Sequence, residues 1–218
     1  MSNHNEISSF IWNVCDDVLR GLFKQHEYGD VILPFVVLRR LDCVLEGKKD
    51  EIIKVHREYK DKFDDTSKII HSKLNLKFSN YSEYDLRRLK NEPNKLSDNF
   101  YDYLSSFSTN VQDIIQNFGL QKHIDKLEKN NKLYLLVEKF TDIDLHPSNV
   151  DNHLMGNIFE ELLRKFSEMS NETSGEHYTP RDVVKLLVSL VFSPDRDKLS
   201  NPNKIISVYD PCCGTGGM

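Results

Sequence analysis

The chain has 218 residues, of which 39% are hydrophobic and 29% are charged, so it is richer in charge than an average globular protein. Lysine and arginine number 29 against 34 aspartates and glutamates, a formal net charge of −5, which excludes a module that holds nucleic acid by overall attraction. No apolar run approaches the ~18 residues of a membrane span, and the N-terminus lacks the basic and apolar regions of an export signal. We therefore expect a cytoplasmic protein without a membrane segment.

Charge and cysteine patterns limit the kinds of site that the chain can carry. Residues 51–100 are the only net basic quarter, and their lysines alternate with aspartates, which is typical of a solvated helical face. The four cysteines show no zinc-like spacing, so we expect free thiols and no metal site. Adjacent Cys212 and Cys213 leave a metal or redox interpretation open, although no second ligand pair accompanies them. The cysteines are Cys15, Cys43, Cys212 and Cys213.

The first 45 residues predict two helices. Apolar residues recur every three or four positions over residues 6–25, which predicts an amphipathic helix. Asp30 then caps a second helix, with Pro34 in its first turn, where a missing N–H has no partner to lose. This second helix is apolar nearly all round, as expected at the centre of a bundle. Arg39 and Arg40 would be its most exposed or most functional residues.

The remaining patterns predict more helices and one strand. Residues 62–108 indicate short helices joined by irregular segments. Helices are predicted over 111–118 and 133–140, with Gly119 as a stop between them, and over 151–170. Thr179 and Pro180 suit the start of another helix, which Ser193-Pro194 would end. The short β-branched run 205–209 predicts the one strand.

The predicted strand leads directly into the sequence Asp-Pro-Cys-Cys-Gly-Thr-Gly-Gly over residues 210–217. An acidic residue and a glycine-rich turn at the carboxyl end of a strand are typical of ligand sites in open α/β sheets. The sequence matches neither the phosphate-loop spacing nor the dinucleotide-binding spacing. An atypical nucleotide-binding domain is therefore the weaker alternative, since no lysine or magnesium-binding hydroxyl stands at the phosphate-loop positions.

This glycine-rich sequence resembles the S-adenosylmethionine-binding motif of amino-group DNA methyltransferases. The sequence Gly-Glu-His-Tyr-Thr-Pro-Arg over 175–181 resembles the element that precedes this motif in the modification subunit of type I restriction-modification enzymes. His177 and Cys212 depart from that family's usual aromatic residue and alanine. The resemblance implies a cofactor site of Glu176, His177, Tyr178, Thr179, Pro180, Arg181, Asp210, Gly214, Thr215, Gly216 and Gly217.

Weaker resemblances extend upstream, to the segment that starts at Gly29-Asp30 and to Met155–Leu162. They imply a mainly α fold, with a helical N-terminal bundle over 1–150 and the start of an α/β, Rossmann-like methyltransferase domain over 151–218. The implied cofactor is S-adenosylmethionine. The implied partners are a specificity subunit, a restriction subunit and double-stranded DNA, whose adenine amino group receives the methyl group.

The family's Asn-Pro-Pro-aromatic loop, which holds the extruded target base, does not occur in the 218 residues. The chain therefore resembles a modification subunit that stops within its catalytic domain, and we expect these residues alone to be inactive, with no catalytic residue among them. The alternative function is a non-catalytic helical interaction module that docks on the specificity subunit or on DNA.

Overall fold

The computed structural model describes residues 2–169, 181–195, 199 and 207–213, and it is mainly helical. The chain divides into two compact units, Met1–Ser170 and Asn171–Met218. Within the described ranges there is no β-strand, and no helix is long and apolar enough to cross a membrane. The helices are α1 (Ser2–Val14), α2 (Tyr28–Leu45), α3 (Lys49–Tyr59), α4 (Ser67–Leu74), α5 (Leu86–Leu89), α6 (Leu96–Ser105), α7 (Thr109–Asn117), α8 (Leu120–Lys129), α9 (Leu133–Asp142), α10 (Asn152–Met169) and α11 (Arg181–Phe192).

The first predicted helix is shorter than its apolar pattern indicates. Helix α1 ends at Val14 and continues only as a π-helical turn, Cys15–Leu19, in which the Arg20 N–H donates to the Cys15 carbonyl. Gly21 follows with φ of +79°, a left-handed conformation that ends the helix. The apolar face itself is confirmed, because its side chains Ile7, Ile11, Val14 and Val18 are buried.

Helix α2 begins earlier than predicted, and the proposed role of Pro34 is wrong. The helix starts at Tyr28, so Pro34 lies inside it, beyond the first turn. A 3-10 turn, Gln25–Glu27, leads into the helix, and the Glu27 carboxylate accepts a hydrogen bond from the Lys24 N–H. An interior proline costs about 3 kcal/mol. Burial of Pro34 and most of its neighbours on α2 offsets that cost.

The main core surrounds α2. Phe35 is fully buried and packs against Phe100 of α6 and Phe140 of α9, with ring centroids 5.6 and 5.4 Å apart. A separate, smaller core lies between α3 and α4, where Ile52 and Ile70 are fully buried. The bundle therefore has a large body and a small lobe with its own apolar centre.

The sequence pattern missed α8. Gly119 does separate two helices, with φ of +59°, but the helix that follows it starts at once, at Leu120. Its buried side chains are Leu120, Ile124 and Leu127, spaced three or four residues apart. That spacing was the signal available in the sequence. The predicted short helices over 62–108 and the helix over 133–140 are confirmed.

The last elements agree with the sequence in part. Helix α10 begins at Asn152, and the Asp151 carboxylate caps it by accepting a hydrogen bond from the Leu154 N–H at 2.7 Å. Helix α11 ends at Phe192 and a 3-10 turn, Ser193–Asp195, follows it, so the predicted stop is confirmed. The predicted strand over 205–209 is wrong for residues 207–209, which are not in a strand, and 205–206 lie outside the described residues.

Candidate functional site

Only two residues of the predicted cofactor site fall within the described part of the chain. Arg181 is the first residue of α11, and Asp210 lies in the segment 207–213. The other predicted site residues lie outside the described residues: Glu176, His177, Tyr178, Thr179, Pro180, Gly214, Thr215, Gly216 and Gly217. Whether all these residues share one pocket stays a prediction.

Asp210 stands at the head of the glycine-rich sequence and shapes the turn that follows. Its Oδ1 accepts a hydrogen bond from the Cys212 N–H at 2.8 Å, the arrangement of an Asx-turn. Asp210 is partly buried, whereas Cys212 and Cys213 are exposed. One carboxylate oxygen is thus engaged by the turn, and the second can accept a hydrogen bond from a ligand's ammonium or hydroxyl group.

Arg39 and Arg40, which the sequence predicted to be the most exposed or the most functional residues of α2, are buried, so the first of these alternatives is wrong. The Arg39 Nε donates to the Ile143 carbonyl at 2.8 Å. The Arg40 Nη1 donates to the carbonyls of Leu145 and Val150. Because the segment between α9 and α10 has little regular structure, its carbonyl groups need donors from elsewhere. The two arginines supply these donors, so their described contacts are structural.

A largely buried polar cluster between α2, α3, α5 and α6, whose Asp42 is partly exposed, was not apparent from the sequence. The Asp42 carboxylate accepts hydrogen bonds from the Tyr103 hydroxyl at 2.8 Å and from the Leu86 N–H at 2.9 Å. The ammonium of buried Lys49 donates to the Asn80 Oδ1 at 2.8 Å. These partners lie between 31 and 61 residues apart along the chain, so no local motif marks them.

Burial changes the acid–base behaviour of this cluster. It raises the pKa of Asp42 to about 7, because the charged carboxylate is poorly solvated there. It lowers the pKa of Lys49 to about 8 for the same reason. Burial and the neighbouring Asp42 carboxylate hold the pKa of Tyr103 well above its ordinary value. A cleft of about 200 Å³ beside the cluster is lined by Asp42, Lys49 and the ion pairs of Arg87 and Arg88.

The structure thus shows a helical domain, and the Asp210 turn begins a glycine-rich sequence further along the chain. Comparison with protein families makes this more specific. The HsdM N-terminal domain family matches residues 7–140, and the N-6 DNA Methylase family matches residues 150–218. The chain belongs to the HsdM N-terminal domain family and corresponds to the N-terminal part of a type I restriction-modification methylase subunit.

Curated relatives agree with this assignment. The chain is 26% identical to the type I restriction enzyme MjaIX methylase subunit of Methanocaldococcus jannaschii, in an alignment that covers 98% of this chain and 38% of that protein. It is 20% identical to the EcoKI methylase subunit of Escherichia coli K12, over 99% of this chain and 34% of that protein. The chain thus spans well under half the length of these relatives. No solved structure matches it at a significant level.

Proposed function

We propose that the protein transfers a methyl group from S-adenosylmethionine to the exocyclic amino group of adenine in specific DNA sites. The observation that carries this proposal is the N-6 DNA Methylase match over residues 150–218, which ends on the glycine-rich sequence that Asp210 begins. Adenine is inside the base stack of duplex DNA, so the reaction requires an enzyme that extrudes the base. Residues 1–218 contain no Asn-Pro-Pro-aromatic sequence, and we assign no catalytic residue among them.

The residues present fit the cofactor chemically. The second carboxylate oxygen of Asp210 suits the ammonium group of S-adenosylmethionine, while the Cys212 N–H holds the first oxygen in place. Arg181 begins α11, and the N–H groups at the start of a helix suit the cofactor's carboxylate. The glycines at 214, 216 and 217 would allow the backbone to approach the cofactor closely. When bound, the cofactor supplies an electrophilic methyl group.

We further propose that an α/β, Rossmann-like domain starts in this chain, with its boundary between residues 150 and 151. An exposed apolar stripe on α11 supports the proposal, since such a helix needs a sheet or another helix to cover it. The side chains of this stripe are between 40% and 64% exposed. They are Val183, Leu186, Leu187, Leu190 and Val191.

The family also suggests partners and a location. We propose that the protein works in a complex with a specificity subunit and a restriction subunit, and that double-stranded DNA binds to this complex. A DNA substrate and the buried free thiols of Cys15 and Cys43 are compatible with the cytoplasm, where thiols stay reduced.

Methyl transfer tests the proposed function. The complete gene product, mixed with the specificity subunit and unmethylated DNA, should transfer tritium from labelled S-adenosylmethionine into N6-methyladenine, identified after hydrolysis to nucleosides. Residues 1–218 alone should transfer none. Label in cytosine would contradict the adenine assignment. A complete product that binds the specificity subunit but transfers no methyl group would instead support a helical interaction module.

A further inference from the structure

The lobe formed by residues 48–77, which contains α3 and α4, differs from the rest of the molecule in its construction. Its own small core includes Ile52, Val55 and Ile70, separate from the main core. Ion pairs connect it to the segment around α5, between Arg57 and Glu83 and between Asp50 and Arg88. The lobe is therefore a helical hairpin held to the main body partly by polar contacts at its side.

The lobe also differs in charge. It contains nine lysines and arginines against six aspartates and glutamates, a net charge of +3, within a chain whose net charge is −5. The remaining residues therefore carry −8. A polyanion approaching this protein meets attraction at the lobe and repulsion over most of the rest of the surface.

Several lysines of the lobe form no close ion pair. Within the described residues, five exposed lysines have no carboxylate within 4.0 Å. Three of the lobe's six acidic residues have partners of their own: Glu58 pairs with Lys73, Asp50 pairs with Arg88, and the Asp65 carboxylate accepts the Ser67 N–H at 2.8 Å. The five lysines are Lys54, Lys60, Lys62, Lys68 and Lys77.

Aromatic side chains lie among these cations. Phe63, in the connection between α3 and α4, is 51% exposed. Tyr59 has the ammonium groups of Lys62 and Lys73 over its ring, at 5.7 and 4.3 Å from the ring centroid. Lysine and tyrosine side chains are both among those that contact the sugar-phosphate backbone of DNA.

We propose that the lysines of this lobe bind the phosphate backbone of double-stranded DNA. The proposal rests on the proposed function, for which it names the part of the helical domain that touches the substrate. The contact is electrostatic and independent of base sequence, because isolated lysine ammonium groups bind phosphates as point charges. Its role is to hold the duplex against the enzyme while base recognition occurs elsewhere.

Charge-reversal variants with a matched control test this contact. One variant carries Lys54→Glu, Lys60→Glu and Lys68→Glu, and the control carries Lys95→Glu, Lys122→Glu and Lys129→Glu, three exposed lysines outside the lobe. Both have the same total charge. Circular dichroism checks that each variant keeps its helical content. Variants with glutamine in place of glutamate at the same positions repeat the comparison with the charge removed and not reversed.

Fluorescence anisotropy with a labelled duplex at about 25 to 200 mM salt measures the binding. We expect the 218-residue chain to bind the duplex weakly, with a Kd on the order of 10⁻⁴ to 10⁻⁶ M. The logarithm of its affinity should fall with the logarithm of the salt concentration. The lobe variant should lose about tenfold or more in affinity, and its salt slope should decrease by about 2 to 3. The control should lose about threefold at most.

Three results would overturn the proposal. The first is no DNA binding by the unaltered chain at about 25 mM salt. The second is an equal loss of DNA affinity in the lobe variant and the control. The third is normal DNA binding by a lobe variant that no longer binds the specificity subunit. The last result would indicate an acidic protein partner. S-adenosylmethionine binding, measured on the complete gene product with the same substitutions, should not change. Failure of the DNA-binding proposal would therefore leave the proposed function standing. Loss of cofactor binding would in turn leave the DNA-binding comparison unaffected.

Discussion

The Arg40 guanidinium, in the middle of α2, donates a hydrogen bond from Nη2 to the Asn152 Oδ1, 2.8 Å away at the start of α10. Its Nη1 donates to the Val150 carbonyl at 2.7 Å. The match to the HsdM N-terminal domain family ends at residue 140, and the match to the N-6 DNA Methylase family begins at residue 150. Arg40 therefore fixes the start of the methylase region to the central helix of the N-terminal domain.

Replacement of Arg40 by methionine should destabilise the helical domain. Methionine fills a similar volume but leaves the buried carbonyls of Leu145 and Val150 without this donor. We expect a loss of about 3 kcal/mol in the free energy of unfolding, measured by urea titration.

Arg20→Met is the matched control. Arg20 is exposed and forms a surface ion pair with Asp16, so the change should cost about 1 kcal/mol or less. An equal loss of unfolding free energy in the two variants would show that the buried contacts of Arg40 stabilise the fold no more than a surface ion pair does.

Gly29 should resist substitution because α2 and α10 approach closely there. A Cβ at this position would lie 3.2 Å from the Phe166 Cβ, whereas a Cβ at Gly156 of α10 would meet no atom within 4 Å. Gly156→Ala should therefore stabilise the protein by about 1 kcal/mol through helix propensity. Gly29→Ala should lose that gain and destabilise by about 1 kcal/mol. Thermal unfolding of both variants measures the difference, and a stabilising Gly29→Ala would contradict the close packing of the two helices.

Stability should depend on pH through Asp42 and Lys49. The pKa of Asp42 is raised from 3.8 to about 7, so its favourable contribution is fully present below pH 3.8 and is lost as the pH rises through 7. The pKa of Lys49 is lowered from 10.5 to about 8, so its contribution is fully present above pH 10.5 and is lost as the pH falls through 8. The cluster is therefore least favourable between pH 7 and pH 8.

Asp42→Asn tests this dependence because asparagine can still accept the Tyr103 hydroxyl but does not ionise. Between pH 5 and pH 8, the unaltered protein should lose about 2 kcal/mol of unfolding free energy relative to this variant. This loss is smaller than the free energy equivalent to the full pKa shift, because Asp42 is partly exposed. Asp98→Asn, at an exposed position, should show no such difference. Parallel pH profiles for Asp42→Asn and the unaltered protein would contradict the assignment.

Local patterns predicted α9 and α10 well from their apolar faces, although the same kind of spacing in α8 was overlooked. They failed for Arg39 and Arg40, because the carbonyl groups that bind these arginines lie more than 100 residues away along the chain. Pro34 was misplaced for a similar reason, since burial in the finished fold offsets the hydrogen bond that the helix loses. The proposed cofactor site rests on residue identity alone, and of its residues the described part of the chain includes Arg181 and Asp210.

Calorimetric binding of S-adenosylmethionine tests the central claim most directly, namely that the region from residue 150 onward carries the cofactor site. In the complete gene product, Asp210→Ala should reduce the affinity about 100-fold, because the ammonium group loses its carboxylate partner and the turn loses its hydrogen bond. Asp182→Ala, an exposed position on α11, should leave the affinity within about threefold. Unchanged affinity in the Asp210→Ala variant, with its helical circular dichroism intact, would contradict the account.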